Sequence, residues 1–574
     1  MTNPSDRLLW TILVVLAAGL RLIGLGVSPL SAEEAAQALT ALQAVRPGIL
    51  SSGTVSVPPL LFHLNAFLFA LLDGSDGLAR LIPALCGIGL VLTPLFLRRY
   101  LGRWGALGSG LMLALSPTVL SYSRTLDGAV PAAFGVMLLV GAFARYLDSW
   151  RAVWLAVGGI GLALALTAGP TAWGLLVGLI LALGAGFYAW RQQVAWYWPM
   201  IRPALGRGLV ACGLGLIVFG AGLGFHPAGL ADAGEQFLHW LRVNPSAASV
   251  PTVLASEPLI LTAGLVGAGL ALKRRHGMGL LWTFWALTGA VQWLLGFGQG
   301  GRAGTGLDGQ GQALSLLVPL AGLGGIAVEE LARGLRTRSH GVGGAVYLIL
   351  SLVLWTHTGL MLSRYSRYGQ WADLILIGIS LAMQVILALL LALTLSVPTE
   401  EETPEEATRR AAFTVLGLAG AALGVVLVAV TFATGWRVAH FCPADPACAL
   451  SADPTTPDVR LLVEQIRWVG TRHGLLRPSV ALLGEPDPAL VWALREFDLR
   501  VVGADAVGGD DPPQIVVAPA DVPVPSGYVA SAFTLRRFWV RPQLLYQWVR
   551  WWLYREPPFP SLPAAQVALW VYRE

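Results

Sequence analysis

Charge is what this chain has least of: only 12% of its 574 residues are Asp, Glu, Lys or Arg, and Lys273 is its single lysine. A globular protein in water carries about 25% charged residues, so a soluble enzyme is excluded. Four cysteines are too few for a disulfide scaffold, and 55% hydrophobic residues exclude a disordered chain. No Gly-rich phosphate loop stands in a strand–helix context, since GFGQGGRAGTGLDGQGQ (296–312) reads as a flexible external loop. An ATP-driven pump therefore lacks its nucleotide domain. No tight His, Cys or carboxylate spacing marks a metal site, and no cofactor is called for. What remains is apolar: the mean hydropathy is +0.65, and 68 glycines suit close approach of membrane helices.

A bilayer core takes roughly 20 apolar residues per helix. Apolar runs fall at 8–27, 80–97, 104–120, 128–147, 152–168, 170–189, 207–224, 257–272, 278–297, 312–331, 341–361, 371–396 and 411–433, about 13 spans. The stretch 57–72 (VPPLLFHLNAFLFALL) is short, opens on Pro58-Pro59 and carries His63 and Asn65. If it does not cross and the N-terminus is inside, one side receives all the basic clusters: Arg98/Arg99/Arg103, Arg191/Arg202/Arg207, Lys273/Arg274/Arg275, Arg333/Arg336/Arg338 and Arg409/Arg410. The positive-inside rule selects that topology. It also accounts for the net charge of +5 without a nucleic-acid partner. The first run reads as an uncleaved span, because no small-residue cleavage site follows it. Residues 28–79 then form one external loop with juxtamembrane helices, and EETPEEATRR (400–410) is a solvated cytoplasmic link.

From about residue 436 prolines, aspartates and arginines become frequent. VRLLVEQIRWVGTRHG and PALVWALREF read as helices, and PSVALLG, LRVVGA and QIVVAP as strands. The expected architecture is mainly α: a polytopic membrane domain over 1–435 and an extracytoplasmic α/β domain over 436–574. Cys442 and Cys448 bracket PADPA, a plausible small disulfide in an oxidising compartment. LLYQWVRWWLYREPP has the composition of a helix lying on the membrane interface.

Few polar residues stand on the external side. In LSAEEAAQAL, Glu33 and Glu34 have two readings. Ser31 with Glu34 three residues on matches a capping box; alternatively a carboxylate at a lipid–water boundary acts as a general base, its pKa raised by desolvation. In SPTVLSYSRTLDGAVP (116–131), Arg124 and Asp127 are spaced to pair on a helix. Arg124 could equally hold a lipid phosphate, and Arg80, opening the second span, is a similar candidate. FHPAGLADAGEQFLHWL (225–241) bears His226, Asp232, Glu235 and His239, with Glu257 opening the eighth span. An amphipathic helix across the external mouth fits it better than a metal site.

Taken together, the external acidic motif, PPLLFHLNAFLFALLDGSDGLARLIPALCGIGLVL, the RRYLG turn and LALSPTVLSYSR resemble the lipid-carrier-dependent membrane glycosyltransferases of the GT-C fold, over about residues 8–190. Protein O-mannosyltransferases and aminoarabinose transferases belong to that superfamily. FHPAGLADAGEQFLHWL, DPTTPDVRLLVEQI and LRRFWVRPQLLYQWVRWWLYREPP resemble, more closely, the flippase-activity-associated family of N-glycosylation gene neighbourhoods.

The resemblance implies inverting transfer of a sugar from a polyprenyl-phosphate donor on the extracytoplasmic side of the plasma membrane, in protein glycosylation or another cell-envelope pathway. Glu33 falls on the base position, with Glu34 beside it; Arg80, Arg124, Tyr122 and His63 are candidates for the lipid phosphate and donor. Asp127, Asp232, His226 and Glu257 are candidates for the acceptor or cavity. Glu in place of the family's Asp lengthens the arm at position 33 by one methylene, about an ångström. The chain departs from the family pattern at Val57-Pro58-Pro59, at Asp127-Gly128-Ala129 and at Thr167-Ala168-Gly169-Pro170. A second expectation follows from these losses: an accessory protein that binds polyprenyl-linked glycans for a partner transferase or flippase. A secondary transporter would need broken helices in inverted halves and midplane charges, and the sequence has neither pattern.

Overall fold

A computed structural model describes residues 4–50, 57–243, 249–297, 310–337, 341–398, 402–441, 444–448, 450, 454–472, 474, 477–507 and 512–573. The first helix, α1 (Pro4–Leu22), precedes a long loop holding α2 (Ala32–Val45), α3 (Pro59–Leu72) and α4 (Asp76–Ala79). Local chemistry sets these starts. Ser31 and Glu34 close a reciprocal capping box on α2, Pro59 occupies the first turn of α3, and Ser75 caps α4.

Next come α5 (Leu81–Leu92), α6 (Arg98–Leu101), α7 (Arg103–Leu115) and α8 (Pro117–Ser123). Prolines 94 and 117 end α5 and α7, as the missing N–H and the ring's clash with the preceding residue require. The break at Ser116 turns α8 by 61° from α7. The rest of the membrane domain comprises α9 (Ala129–Ser149), α10 (Val153–Ala168), α11 (Thr171–Gly215), α12 (Gly229–Leu241), α13 (Ser249–Ser256), α14 (Pro258–Arg274), α15 (Gly277–Leu295), α16 (Leu314–Thr337), α17 (Gly341–Tyr368), α18 (Trp371–Leu395) and α19 (Pro404–Trp436).

Among the described residues seven helices are long and apolar enough to cross a membrane, or eight if α7 and α8 form one bent span. Several of the other apolar runs are shorter helices, such as Leu81–Leu95 and Val153–Ala168. The two runs expected at 170–189 and 207–224 belong to one continuous helical assignment, α11, extended by a π-helical turn at Leu216–Gly220. Prolines and glycines shorten the rest. Small residues also let backbones touch: a Cβ on Gly267 of α14 would collide with the Leu323 carbonyl of α16. At the edge, α17 and α18 join through a polar seam of Ser351–Gln384 at 2.8 Å, His357–Ser380 at 2.6 Å and Arg364–Asp373 at 3.5 Å.

The C-terminal domain contains α20 (Asp458–Arg472), β1 (Ser479–Leu483), α21 (Pro488–Leu494), β2 (Asp498–Val502), α22 (Ala504–Val507), β3 (Ile515–Pro519), β4 (Tyr528–Phe538), α23 (Leu545–Tyr554) and β5 (Leu562–Tyr572). Its sheet runs β2-β1-β3-β5-β4, parallel through the first three strands and antiparallel at β5 and β4. The sequence pattern foresaw the first three strands and two of the helices, but not β4 or β5. The Trp-rich segment is the helix α23. Two of its indoles donate inward, Trp551 to the Ala447 carbonyl and Trp552 to the Ala255 carbonyl, each at 2.7 Å.

Candidate functional site

The first turn of α2 divides its two glutamates. Glu33 is exposed, whereas Glu34 is only 5% exposed. Both Glu34 oxygens are occupied. Oε1 accepts from Arg80 Nε and from the Leu126 N–H, each at 2.7 Å. Oε2 accepts from Arg80 Nη2 at 2.7 Å and from the Ser31 N–H at 2.9 Å. Burial pushes the Glu34 carboxyl up, but the Arg80 charge and the hydrogen bonds from Arg80, Ser31 and Leu126 outweigh it, and the pKa lies below the ordinary value. Of the two sequence readings of this carboxylate, the capping box with Ser31 is the one formed. Its geometry is that of a helix cap and a buried ion-pair partner.

Arg80 continues to backbone: Nη1 donates to the carbonyls of Leu25 (3.3 Å) and Ser28 (2.7 Å), and Nη2 to Pro29 (3.0 Å). Arg124, at the end of α8, donates to the carbonyls of Leu20, Arg21, Ile23 and Gly24 at 2.8–3.0 Å. It therefore closes the end of α1, and no Arg124–Asp127 ion pair is formed among the described contacts. Glu34, Arg80 and Arg124 line one small cavity with Ser121 and Thr125, and Pro454 of the C-terminal segment completes its wall.

Asp127 lies just beyond. Its Oδ1 accepts from the Ala129 N–H at 2.6 Å. Burial pushes its pKa up to about 6; the Ala129 hydrogen bond opposes this and the Glu34 charge adds to it. Tyr122 is buried and packs on Gly311. The three segments that depart from the family pattern meet here. A Cβ on Gly128 would run into the Ala168 carbonyl, and one on Gly169 would lie 3.8 Å from the Pro58 ring. Positions that are far apart in sequence are thus neighbours, and they are mostly apolar. Residues 298–309 lie outside the described residues.

His63 and His226 form a separate cluster, ring centroids 5.6 Å apart and edge-on. His63 Nδ1 is 2.9 Å from the Phe219 carbonyl, which assigns the proton to that nitrogen. Burial pushes the His63 pKa down; the Phe219 carbonyl opposes, the His226 charge adds, and Asp232 draws it back up. Glu257 stands elsewhere, fully buried, where Oε1 accepts from Ser116 Oγ at 2.7 Å and the Thr118 N–H at 2.8 Å, holding the start of α8. Among the described residues no group of three His, Cys, Asp or Glu side chains could hold a metal ion. Cys448 is buried and disulfide-bonded, and Cys442 lies outside the described residues. Cys86 and Cys212 are free.

Sequence reading missed several groups. Arg21 is fully buried and donates to the Leu113 and Ala114 carbonyls; an arginine inside the first apolar run was the available signal. Arg555, also buried, donates to Ser256 Oγ at 2.7 Å beside Glu257. Arg460 and Trp492 reach the first loop from the C-terminal domain.

A helical membrane domain topped by a small C-terminal sheet is the fold this chain shares with a solved membrane protein, ArnT. The chain is similar to the crystal structure of ArnT from Cupriavidus metallidurans bound to undecaprenyl phosphate, at 16% identity and TM-score 0.51, over 89% of this chain and 93% of that one. The apo state of ArnT gives 16% identity and TM-score 0.50, over 98% and 97%. No protein-family model and no curated protein matches the sequence. The narrower likeness to the flippase-activity-associated family rests on the sequence motifs alone.

Proposed function

We propose that this protein transfers a sugar from a polyprenyl-phosphate carrier to an acceptor hydroxyl on the extracytoplasmic face of the plasma membrane, with inversion at the anomeric carbon. The membrane domain spans 1–435 and the extracytoplasmic domain 436–574. The observation that carries the reading is the cavity that brings Arg80 and Arg124 together beside the first turn of α2, in a fold whose solved neighbour is bound to undecaprenyl phosphate. Two guanidiniums suit a phosphate, which they neutralise through planar forks of donors.

In this reading Glu33, exposed and one residue before the fully paired Glu34, takes the proton from the acceptor hydroxyl. The hydroxyl oxygen attacks the anomeric carbon from the face opposite the phosphate. The bond from that carbon to the phosphate oxygen breaks, and polyprenyl phosphate leaves with the electron pair. Arg80 and Arg124 stabilise the departing charge.

The test is sugar transfer by the purified full chain from undecaprenyl-phosphate-linked sugars. E33Q should lose at least about 100-fold in turnover, the usual worth of a general base. If E33Q transfers as well as wild type, the base is misassigned. A second reading, an accessory protein that binds the lipid-linked glycan without turnover, is favoured by the apolar convergence of Pro58, Gly128, Ala168 and Gly169. Binding without transfer across a sugar panel would select it.

A further inference from the structure

Besides Glu34 and the end of α1, Arg80 and Arg124 both donate to one short piece of chain. Arg124 holds the carbonyls of Ile23 and Gly24, and Arg80 those of Leu25, Ser28 and Pro29. Residues 23–29 therefore lie across both guanidiniums as a strap. Its outer face is open, Ile23 and Val27 being each 62% exposed, while Leu25 and Pro29 are buried. Gly24 at φ +65° turns it, and Gly26 makes a close backbone approach to Gly77.

The carbonyl in the middle of the strap is held from outside. Arg460 Nη2 on α20 donates to the Gly26 carbonyl at 2.7 Å and to Asp76 Oδ2 at 3.1 Å. Trp492 on α21 donates to the other Asp76 oxygen at 2.7 Å, and Arg495 to the Gly74 carbonyl at 2.8 Å. The C-terminal domain thus grips both the strap and the α4 turn that delivers Arg80.

We propose that residues 23–29 are a strap that masks the phosphate-binding arginines, that a phosphate-bearing lipid lifts it, and that Arg460 is its latch. This rests on the reading of Arg80 and Arg124 as phosphate ligands. The exchange is chemically balanced: a phosphate offers the guanidiniums the acceptors that the strap carbonyls give up, with the advantage of charge. The strap carbonyls return to water as the segment lifts by its exposed residues Ile23, Gly24 and Val27. Because the latch is contributed by the C-terminal domain, movement of that domain and occupancy of the cavity are linked.

The experiment compares the full-length protein with R460A in lipid nanodiscs. It follows hydrogen exchange of the amides of 23–28 and binding of undecaprenyl phosphate. The variant should exchange faster at 23–28 before ligand is added and should bind roughly 5-fold tighter, the scale of one part-exposed charge-assisted contact. In wild type, ligand should speed exchange at the same amides. Binding by both proteins with equal affinity and unchanged exchange overturns the strap and leaves the functional reading intact. Absence of binding in both overturns the functional reading and the strap's role together.

Discussion

Arg80 and Glu34, 46 residues apart, meet in a two-pronged ion pair with both contacts at 2.7 Å and side chains only 5% and 7% exposed. Either partner left alone would be a buried, uncompensated charge. E34A is expected to cost about 3–5 kcal/mol, read as a fall in the thermal unfolding midpoint of the purified protein. A double-mutant cycle with R80A should show coupling above about 1 kcal/mol. Strict additivity would show that the pair does not act as a unit.

Acid should dissolve that pair. The Glu34 pKa in the folded protein lies below its ordinary value of 4.5, so folding favours the ionised form. Its stabilisation is complete above about pH 4.5 and falls away as the pH drops through the folded pKa. The gap in unfolding midpoint between wild type and E34A should hold from pH 7 to 5 and narrow below 4.5. A constant gap would contradict the assignment.

Asp127 should behave with the opposite sign. Its folded pKa of about 6 exceeds the ordinary 3.8, so the folded state binds the proton more tightly and stability declines as pH rises between those values. D127N keeps an oxygen for the Ala129 N–H and removes the half-buried charge. It should stabilise the protein at pH 7.5 by about 1–2 kcal/mol, with the gain vanishing below pH 4. Destabilisation at pH 7.5 would refute it.

Two glycines on α14 separate packing from helix propensity. A Cβ at Gly267 meets the Leu323 backbone, whereas one at Gly269 meets nothing within 4 Å. G267A should lower stability by about 1–3 kcal/mol through overpacking. G269A should be neutral or raise it by up to about 1 kcal/mol. Equal effects would mean that α14 and α16 do not pack as described.

The capping box at Ser31 and Glu34 was legible because a cap is local: three residues of spacing decide it. The same spacing could not choose between Glu33 and Glu34 as the buried carboxylate, since that depends on Arg80 arriving from beyond α3. Arg124 was visible as an anchor or a ligand. That its donors reach the end of α1, about 100 residues earlier, depends on the bend at Ser116. The strands β1, β2 and β3 were legible from short apolar runs, whereas β4 and β5 carry mixed faces and a register break near Arg536.

By itself the sequence determined the solvent of the chain, the apolar stretches and the change of composition near residue 436, because burial in lipid or protein imposes a periodic apolar pattern. It also held the few polar residues available for a site. Only the tertiary structure decided that Glu34 is spent on Arg80, that Glu33 is exposed, and that Arg460 reaches Gly26 across 434 residues. The last contact is made to a backbone carbonyl, which every residue carries, so no side-chain pattern announces it. Packing alone brings the two ends of the chain together.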